Sequence, residues 1–270
     1  MLSAIKKMIP VAIKQAAKDY ALGWHTQLSF DASCLRPAES LDLPSIWSDQ
    51  AAAAAFTNDH ARISELLAPR NIGDGVNTGD RRAIHYLVSH LKPHSVLEIG
   101  TNIGASTVYF ACALHHVGGN LTTADIVDVN APDGPWRDAG LSATPAAIVS
   151  RLGLGQTVTF RTASAAEALQ TSERFDLVFL DGDHSKLAVY REISAALRIL
   201  NPNGLILLHD FYPGLKPRTP GGRMIEGPFV ASERIMREQS GLNFLPLGEL
   251  PWPTKEGGKI TTLALVAAAK

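Results

Sequence analysis

The chain is poor in the features that assign a protein to a special class. It has two cysteines in 270 residues, Cys34 and Cys112, far apart and outside any CxxC spacing. That argues against a disulfide framework and a zinc knuckle, and makes a reducing, cytoplasmic compartment the expectation. Excess charge is lacking too: 25 Lys and Arg against 26 Asp and Glu leave a formal charge of -1. No bulk attraction to nucleic acid is therefore expected, and any partner preference must come from a local site. No apolar run is long enough to span a bilayer. In the opening "MLSAIKKMIPVAIKQAAKDYALGW", Lys6, Lys7, Lys14 and Lys18 interrupt each apolar stretch before a signal-peptide core forms. Internal repeats are absent, and the only biased tract is the alanine run at 51–55.

What remains is an ordinary globular composition, 46% hydrophobic and 19% charged, in a length that suits one large domain plus a small helical appendage. Ile5, Met8, Ile9, Ile13, Ala16, Ala17 and Tyr20 recur at helical spacing, with Pro10 as a start or kink. They predict an amphipathic helix that packs on the main domain or on a second subunit of a homodimer or larger assembly, with contact with lipid headgroups as the alternative. Residues 1–76 read as a helical extension, and 77–270 as the main domain. From Asn77 helices and strands alternate. "NTGDRRAIHYLVSHL" puts Ile84, Leu87, Val88 and Leu91 on one helical face; the strands are "HSVLEIG", "NLTTADI", "QTVTFRT", "FDLVFLD" and "GLILLHD". Nearly all-apolar strands separated by helices indicate a parallel sheet covered on both faces. After a helix in "FVASERIMREQSG", the runs "LNFLPLGEL" and "KITTLALVAAA" leave no room for a helix between them and predict an antiparallel hairpin. The expectation is an α/β, Rossmann-like, doubly wound sheet of seven mostly parallel strands with that hairpin at its C-terminal end. Two Pro/Gly-rich stretches, Asp128 to Ser142 and Phe211 to Pro228, each follow a strand at the edge where such sheets bind ligands, and read as lids.

The stretch "VLEIGTNIGAST", 96–107, is a strand ending in Glu98, a turn with Gly100 and Gly104, and a helix opening at Ser106 or Thr107. Glycines there let backbone approach a ligand, and exposed amides at a helix start favour negative groups. A dinucleotide fingerprint would need glycine where Asn102 stands, which argues against NAD. The ExGxxxG spacing resembles motif I of the class I S-adenosylmethionine-dependent methyltransferases, and the resemblance covers about residues 78–270. It implies that Glu98, Gly100, Thr101, Asn102, Gly104 and Ser106 belong to the cofactor turn. Asp125, ending the second strand, would accept hydrogen bonds from the ribose hydroxyls, an acceptor-only task that suits a carboxylate. Ala163, Ser164 and Ala165 would lie at the adenine, with serine standing where the family more often has aspartate.

In the family's sheet order strands four and five are neighbours, so Asp181 and Asp210 would lie side by side, an arrangement that calls for a cation between them. This pairing resembles the metal-dependent O-methyltransferases, of the catechol type and of the sugar-modifying branch found in macrolide and cephamycin biosynthesis. The resemblance implies a divalent cation on Asp181 and Asp210, with Asp181 also at the cofactor, and His209 in a ligand position often filled by an acid. Magnesium is the first expectation, and the histidine opens the site to manganese, iron or zinc. "DGDHS" resembles the DGxH turn of the sugar-modifying branch, which implies His184 as general base beside Asp181, while Asp183 caps the following helix. Arg218 and Arg223 are candidates to hold an anionic group on the acceptor, or keep a loop soluble; Trp136 and Tyr212 are candidates to stack on it. His94, His115 and His116 lie away from the ligand edge and receive no role. The implied reaction is methylation of a hydroxyl on a sugar or polyhydroxylated small molecule. The competing readings are metal-independent N- or C-methylation, an NAD-linked oxidoreductase, and a non-catalytic cofactor-binding module.

Overall fold

A computed structural model describes residues 11–67, 75–218 and 222–269. The helical expectation for residues 1–10 lies outside them. The remainder of that segment forms α1 (Val11–Ala21). It docks on the main domain through Asp19, whose carboxylate accepts from Lys186, while Tyr20 and Leu22 stay exposed. Among the described residues no helix is long and apolar enough to cross a membrane.

Ten α-helices can be numbered along the described chain. After α1 come α2 (Leu43–Ser48), α3 (Gln50–Leu66) and α4 (Thr78–Leu91). The alternating part comprises β1 (Ser95–Ile99), α5 (Thr107–Val117), β2 (Asn120–Asp125), α6 (Pro135–Asp138), α7 (Pro145–Arg151) and β3 (Val158–Thr162). It continues with α8 (Ala165–Ala168), β4 (Phe175–Leu180), α9 (Lys186–Ile199) and β5 (Leu200–Leu208), and ends in α10 (Gly227–Glu238), β6 (Leu242–Pro246) and β7 (Ala264–Ala268). The seven strands order as β3-β2-β1-β4-β5-β7-β6, with β7 antiparallel to both neighbours and the first five strands parallel.

Strand side chains alternate between two cores, which is why the strands read as continuous apolar runs. Val96, Leu177, Phe179, Leu205 and Leu207 face α4, α5 and α7 in one core, and Phe56 and Ile63 of α3 join it. Leu97, Ile99, Val178, Leu180, Ile206 and Leu208 face the other core, with Val189, Ile193, Ala231 and Ile235 from α9 and α10. Each fully buried side chain of this size contributes roughly 1.5–3 kcal/mol. The N-terminal helices thus share a core with the sheet.

Local signals set the helix starts. Asn77 caps α4, its side-chain oxygen accepting from the Asp80 amide at 3.1 Å, and Ser185 caps α9 by accepting from the Ala188 amide. Several expected elements are shorter than the sequence pattern implies. Ordered pairing of β6 with β7 stops at Pro246 and Ala264, because the intervening chain folds inward to bury Trp252, whose indole donates to the Gly79 carbonyl at 2.9 Å. The first lid contains the short α6, and the second holds a 3-10 turn, Pro213–Leu215. The strand order reverses between β1 and β4, and in such sheets that crevice is where ligands bind.

Candidate active site

At the reversal point Gly100 leaves β1 with φ +96°, and a Cβ there would lie 2.2 Å from the Asp181 carbonyl oxygen at the end of β4. Glycine is therefore required because two strand ends meet, and this contact brings the glycine turn and the aspartate cluster together. Asn102, with φ 47°, and Gly104, with φ +77°, complete a turn of left-handed residues. The Asn102 amide donates to Asp125 Oδ2 at 2.8 Å, tying the turn to the end of β2.

Glu98 is wholly buried and does not line the cleft. Its carboxyl accepts from Ser106 Oγ at 2.6 Å, Thr107 Oγ1 at 2.6 Å and Thr123 Oγ1 at 2.7 Å. Burial pushes it up to about 7, against the pull of those three hydroxyl donors. Glu98 thus organises the turn from beneath. Ser106 spends its hydroxyl on Glu98 and does not cap α5. Thr101 is also buried, its hydroxyl sharing a 2.6 Å hydrogen bond with Thr123.

The cleft above this turn measures about 1170 Å³ and is lined by Gly100, Asn102, Asp125, Ala163, Ala165, Asp181 and His184, among others. Ser164 is not among its walls: it caps α8, donating to Glu167 Oε2 at 2.6 Å and accepting from the Glu167 amide. Ile126 and Val127, beyond Asp125, add an exposed apolar shelf that the strand pattern gave no reason to single out. An acceptor-only carboxylate, an apolar shelf and a glycine turn suit the ribose, adenine and methionine parts of S-adenosylmethionine in turn.

At the other end of the cleft Asp181, His184 and Asp210 converge, one ligand atom of each lying within 4.8 Å of the others. His184 Nε2 is 3.5 Å from Asp210 Oδ2 and 3.8 Å from Asp181 Oδ1. Asp210 adopts φ 52°, a left-handed conformation. Two carboxylates and an imidazole nitrogen facing one another make a donor set that fits a divalent cation. The third corner belongs to His184 and not to His209. His209 is buried behind the pair, with Nδ1 2.8 Å from Asp181 Oδ1 and Nε2 3.7 Å from Asp80 Oδ2. Burial works against its charge, but Asp181, Asp210 and Asp80 outweigh it and raise His209 well above the ordinary histidine value. With its two ring nitrogens turned to Asp181 and Asp80, His209 supports the carboxylates from behind, and the open corner is left to His184.

Asp80, in the first turn of α4, is fully buried beside this cluster. Burial alone would raise its carboxyl, yet His209 and Arg218 hold it below the usual range. Arg218 of the second lid reaches in, with Nη1 3.5 Å from Asp80 Oδ2 and its guanidinium 5.8 Å from the centre of the Tyr212 ring. Arg223 and Tyr212 line the cleft, whereas Trp136 does not; its indole donates to Ala131 and holds the first lid together. Asp183, expected as the cap of α9, stands two residues before the actual cap, Ser185, and its Oδ1 accepts from the Ser185 amide at 2.8 Å. Apart from Asn77, whose amide donates to Asp80 Oδ2 at 2.6 Å, the partners that place Asp80 at this cluster come from 129 to 182 positions further along the chain, so no local spacing signals that role.

A glycine turn after β1, an acid after β2 and a seven-stranded sheet with a reversed final pair define the class I S-adenosylmethionine-dependent methyltransferase fold. Residues 97–211 match the model of a family described as a methyltransferase domain. Solved structures share the fold. One is the O-methyltransferase TomG from Streptomyces achromogenes, involved in tomaymycin synthesis and bound to SAM, at 19% identity and TM-score 0.52, covering 83% of this chain and 91% of that one. Another is the O-methyltransferase from Bacillus cereus bound to SAH, at 21% identity and TM-score 0.53, covering 83% and 92%. No curated protein matches the sequence.

Proposed function

We propose that this chain methylates a hydroxyl of a small molecule, a sugar or polyhydroxylated natural product, using S-adenosylmethionine and a divalent cation. The observation that carries the reading is the meeting of Asp181, His184 and Asp210 in the same cleft as the glycine turn. The names of the two compared structures support an oxygen acceptor.

Gly100, Asn102 and Asp125 would hold S-adenosylmethionine, which would supply a methyl group on a positively charged sulfur for transfer to the acceptor oxygen, leaving S-adenosylhomocysteine. Asp125 and the glycine turn orient the cofactor, and Ile126 and Val127 exclude water from its base. His184 Nε2, 3.5 Å from Asp210 Oδ2 and 3.8 Å from Asp181 Oδ1, receives the proton that the hydroxyl gives up. A divalent cation on Asp181 and Asp210 would grip the hydroxyl and lower its pKa. One nitrogen cannot both ligate and take a proton. Those same distances therefore favour a second reading, in which His184 is the third ligand and cation-promoted ionisation replaces the base.

Methyl transfer from labelled cofactor to a panel of hydroxylated acceptors tests this, with and without EDTA, on the wild type, His184→Ala and Asp210→Asn. Both variants are expected to lose at least about a hundredfold in turnover while keeping their affinity for S-adenosylhomocysteine. Recovery of His184→Ala at high pH marks a base; loss of bound cation in that variant marks a ligand. Unchanged turnover in EDTA removes the cation, labelling of amines alone removes the oxygen acceptor, and binding of NAD without S-adenosylhomocysteine overturns the reading altogether.

A further inference from the structure

We propose a second metal site, for a transition-metal dication, formed by Asp59, His85 and His116 on the helical layer away from the cleft. The three residues come from three helices, α3, α4 and α5, and one ligand atom of each lies within 4.8 Å of the others. Two imidazole nitrogens converge on a single carboxylate oxygen: His85 Nε2 is 2.9 Å and His116 Nε2 2.8 Å from Asp59 Oδ2. His116 closes the far end of α5, a helix of 11 residues whose first turn borders the glycine turn. At 1.5 Å per residue this puts the site roughly 16 Å from that turn.

The geometry suits an ion. Two ligand atoms on metal arms of about 2.0–2.1 Å stand about 2.9 Å apart at a right angle and about 3.3 Å apart at a tetrahedral angle. The carboxylate-to-imidazole distances already match the first value, so small side-chain rotations would admit a cation. His85 is fully buried, and its other ring nitrogen, Nδ1, faces Ser89 Oγ at 3.4 Å. A hydroxyl accepting there favours the tautomer that leaves the Nε2 lone pair free, the kind of outer contact that orients metal-binding histidines. Asp59 is 3% exposed, so its charge is poorly solvated and gains from a cation. The His116 side chain is 44% exposed, which provides an entry path and room for a water in the remaining position. Two imidazoles with one carboxylate favour zinc, cobalt, nickel or copper over magnesium. Because α3 belongs to the N-terminal extension and α5 packs on the sheet, the ion would staple one to the other.

The test uses full-length, tag-free, metal-stripped protein in an Asp210→Asn background, which disables the carboxylate pair in the cleft, and Co²⁺ as the probe. One equivalent is expected to bind with visible d–d absorption, and saturating Zn²⁺ to raise the thermal midpoint by at least about 5 °C. Adding His116→Ala, a change at an exposed side chain that leaves the core untouched, is expected to weaken Co²⁺ binding at least about tenfold and to abolish the Zn²⁺ shift. Adding His85→Gln should do the same. Equal Co²⁺ affinity with and without His116, or no Co²⁺ binding in the Asp210→Asn protein, would overturn the proposal and leave Asp59 as a carboxylate paired with histidine protons only.

Discussion

Replacing Glu98 by glutamine tests the account of the glycine turn most directly. The carboxyl is fully buried and sits at about 7, against an ordinary 4.5, because burial penalises its charge more than three hydroxyl donors stabilise it. The folded protein therefore holds this proton more tightly than the unfolded chain does. Its contribution is fully present below about pH 4.5 and is lost as the pH rises to about 7; at about 1.4 kcal/mol per pH unit the total change is on the order of 3 kcal/mol. Glutamine has nearly the same shape and stays neutral throughout. Its oxygen still accepts hydroxyl protons, and Ser106 or a threonine can rotate to accept from its amide, so Glu98→Gln is expected to fold. Urea unfolding of both proteins, followed by tryptophan fluorescence from pH 5 to 7.5, should show wild-type stability falling relative to the variant by about 2 kcal/mol or more. Glu192, also pushed up to about 7, by burial and the charge of Asp183, titrates in both proteins and cancels in the difference. A constant difference across the range, or a wild type that gains on the variant as pH rises, would refute the reasoning.

Two further substitutions probe the walls of the cleft. Asp125→Ala removes the acceptor expected to bind the ribose hydroxyls, and calorimetry with S-adenosylhomocysteine should show affinity about 10- to 100-fold weaker, the worth of one or two charge-assisted hydrogen bonds. An unchanged Kd would take Asp125 out of the cofactor site. At Gly227, which opens α10, a Cβ would lie 1.8 Å from the His184 carbonyl oxygen and 2.7 Å from the Lys186 amide, both backbone atoms. Gly227→Ala must therefore displace His184, and turnover should fall on the order of a hundredfold with cofactor affinity preserved. Gly155→Ala, whose Cβ would meet only Ser150 Oγ at 3.7 Å, should be neutral; equal activity of the two variants would show that the position of His184 does not matter.

The sheet was legible because its signals are local. A parallel strand covered on both faces must be apolar along its length, and a helix on such a sheet must repeat its apolar residues every three to four positions, so order and type can be read without knowing any partner. Ends were read less well. Strand β5 stops at Leu208, where Asp210 turns left-handed, and β7 begins only at Ala264, because burying Trp252 pulls the preceding chain off the sheet. Neither reason is visible in a window of ten residues.

The same distinction between local and distant causes accounts for the histidines. Residue type and position after a strand implied a ligand role for His209 and a base role for His184, and only the surroundings test that assignment. His209 faces two carboxylates through one ring nitrogen and a third, Asp80, through the other, so its neighbours hold it as a cation. His184 is propped by the start of α10 against its backbone and turns Nε2 into the open cleft. His116 shows the converse. Read along its own helix it is one more surface imidazole, but it completes a convergence with Asp59, 57 positions earlier, and His85 on a third helix. An imidazole serves as counter-ion, base or ligand according to which charges the fold brings to its two nitrogens. Where those charges come from other elements, chemistry is decided by tertiary packing, even when the fold that supplies the packing can be read from the chain.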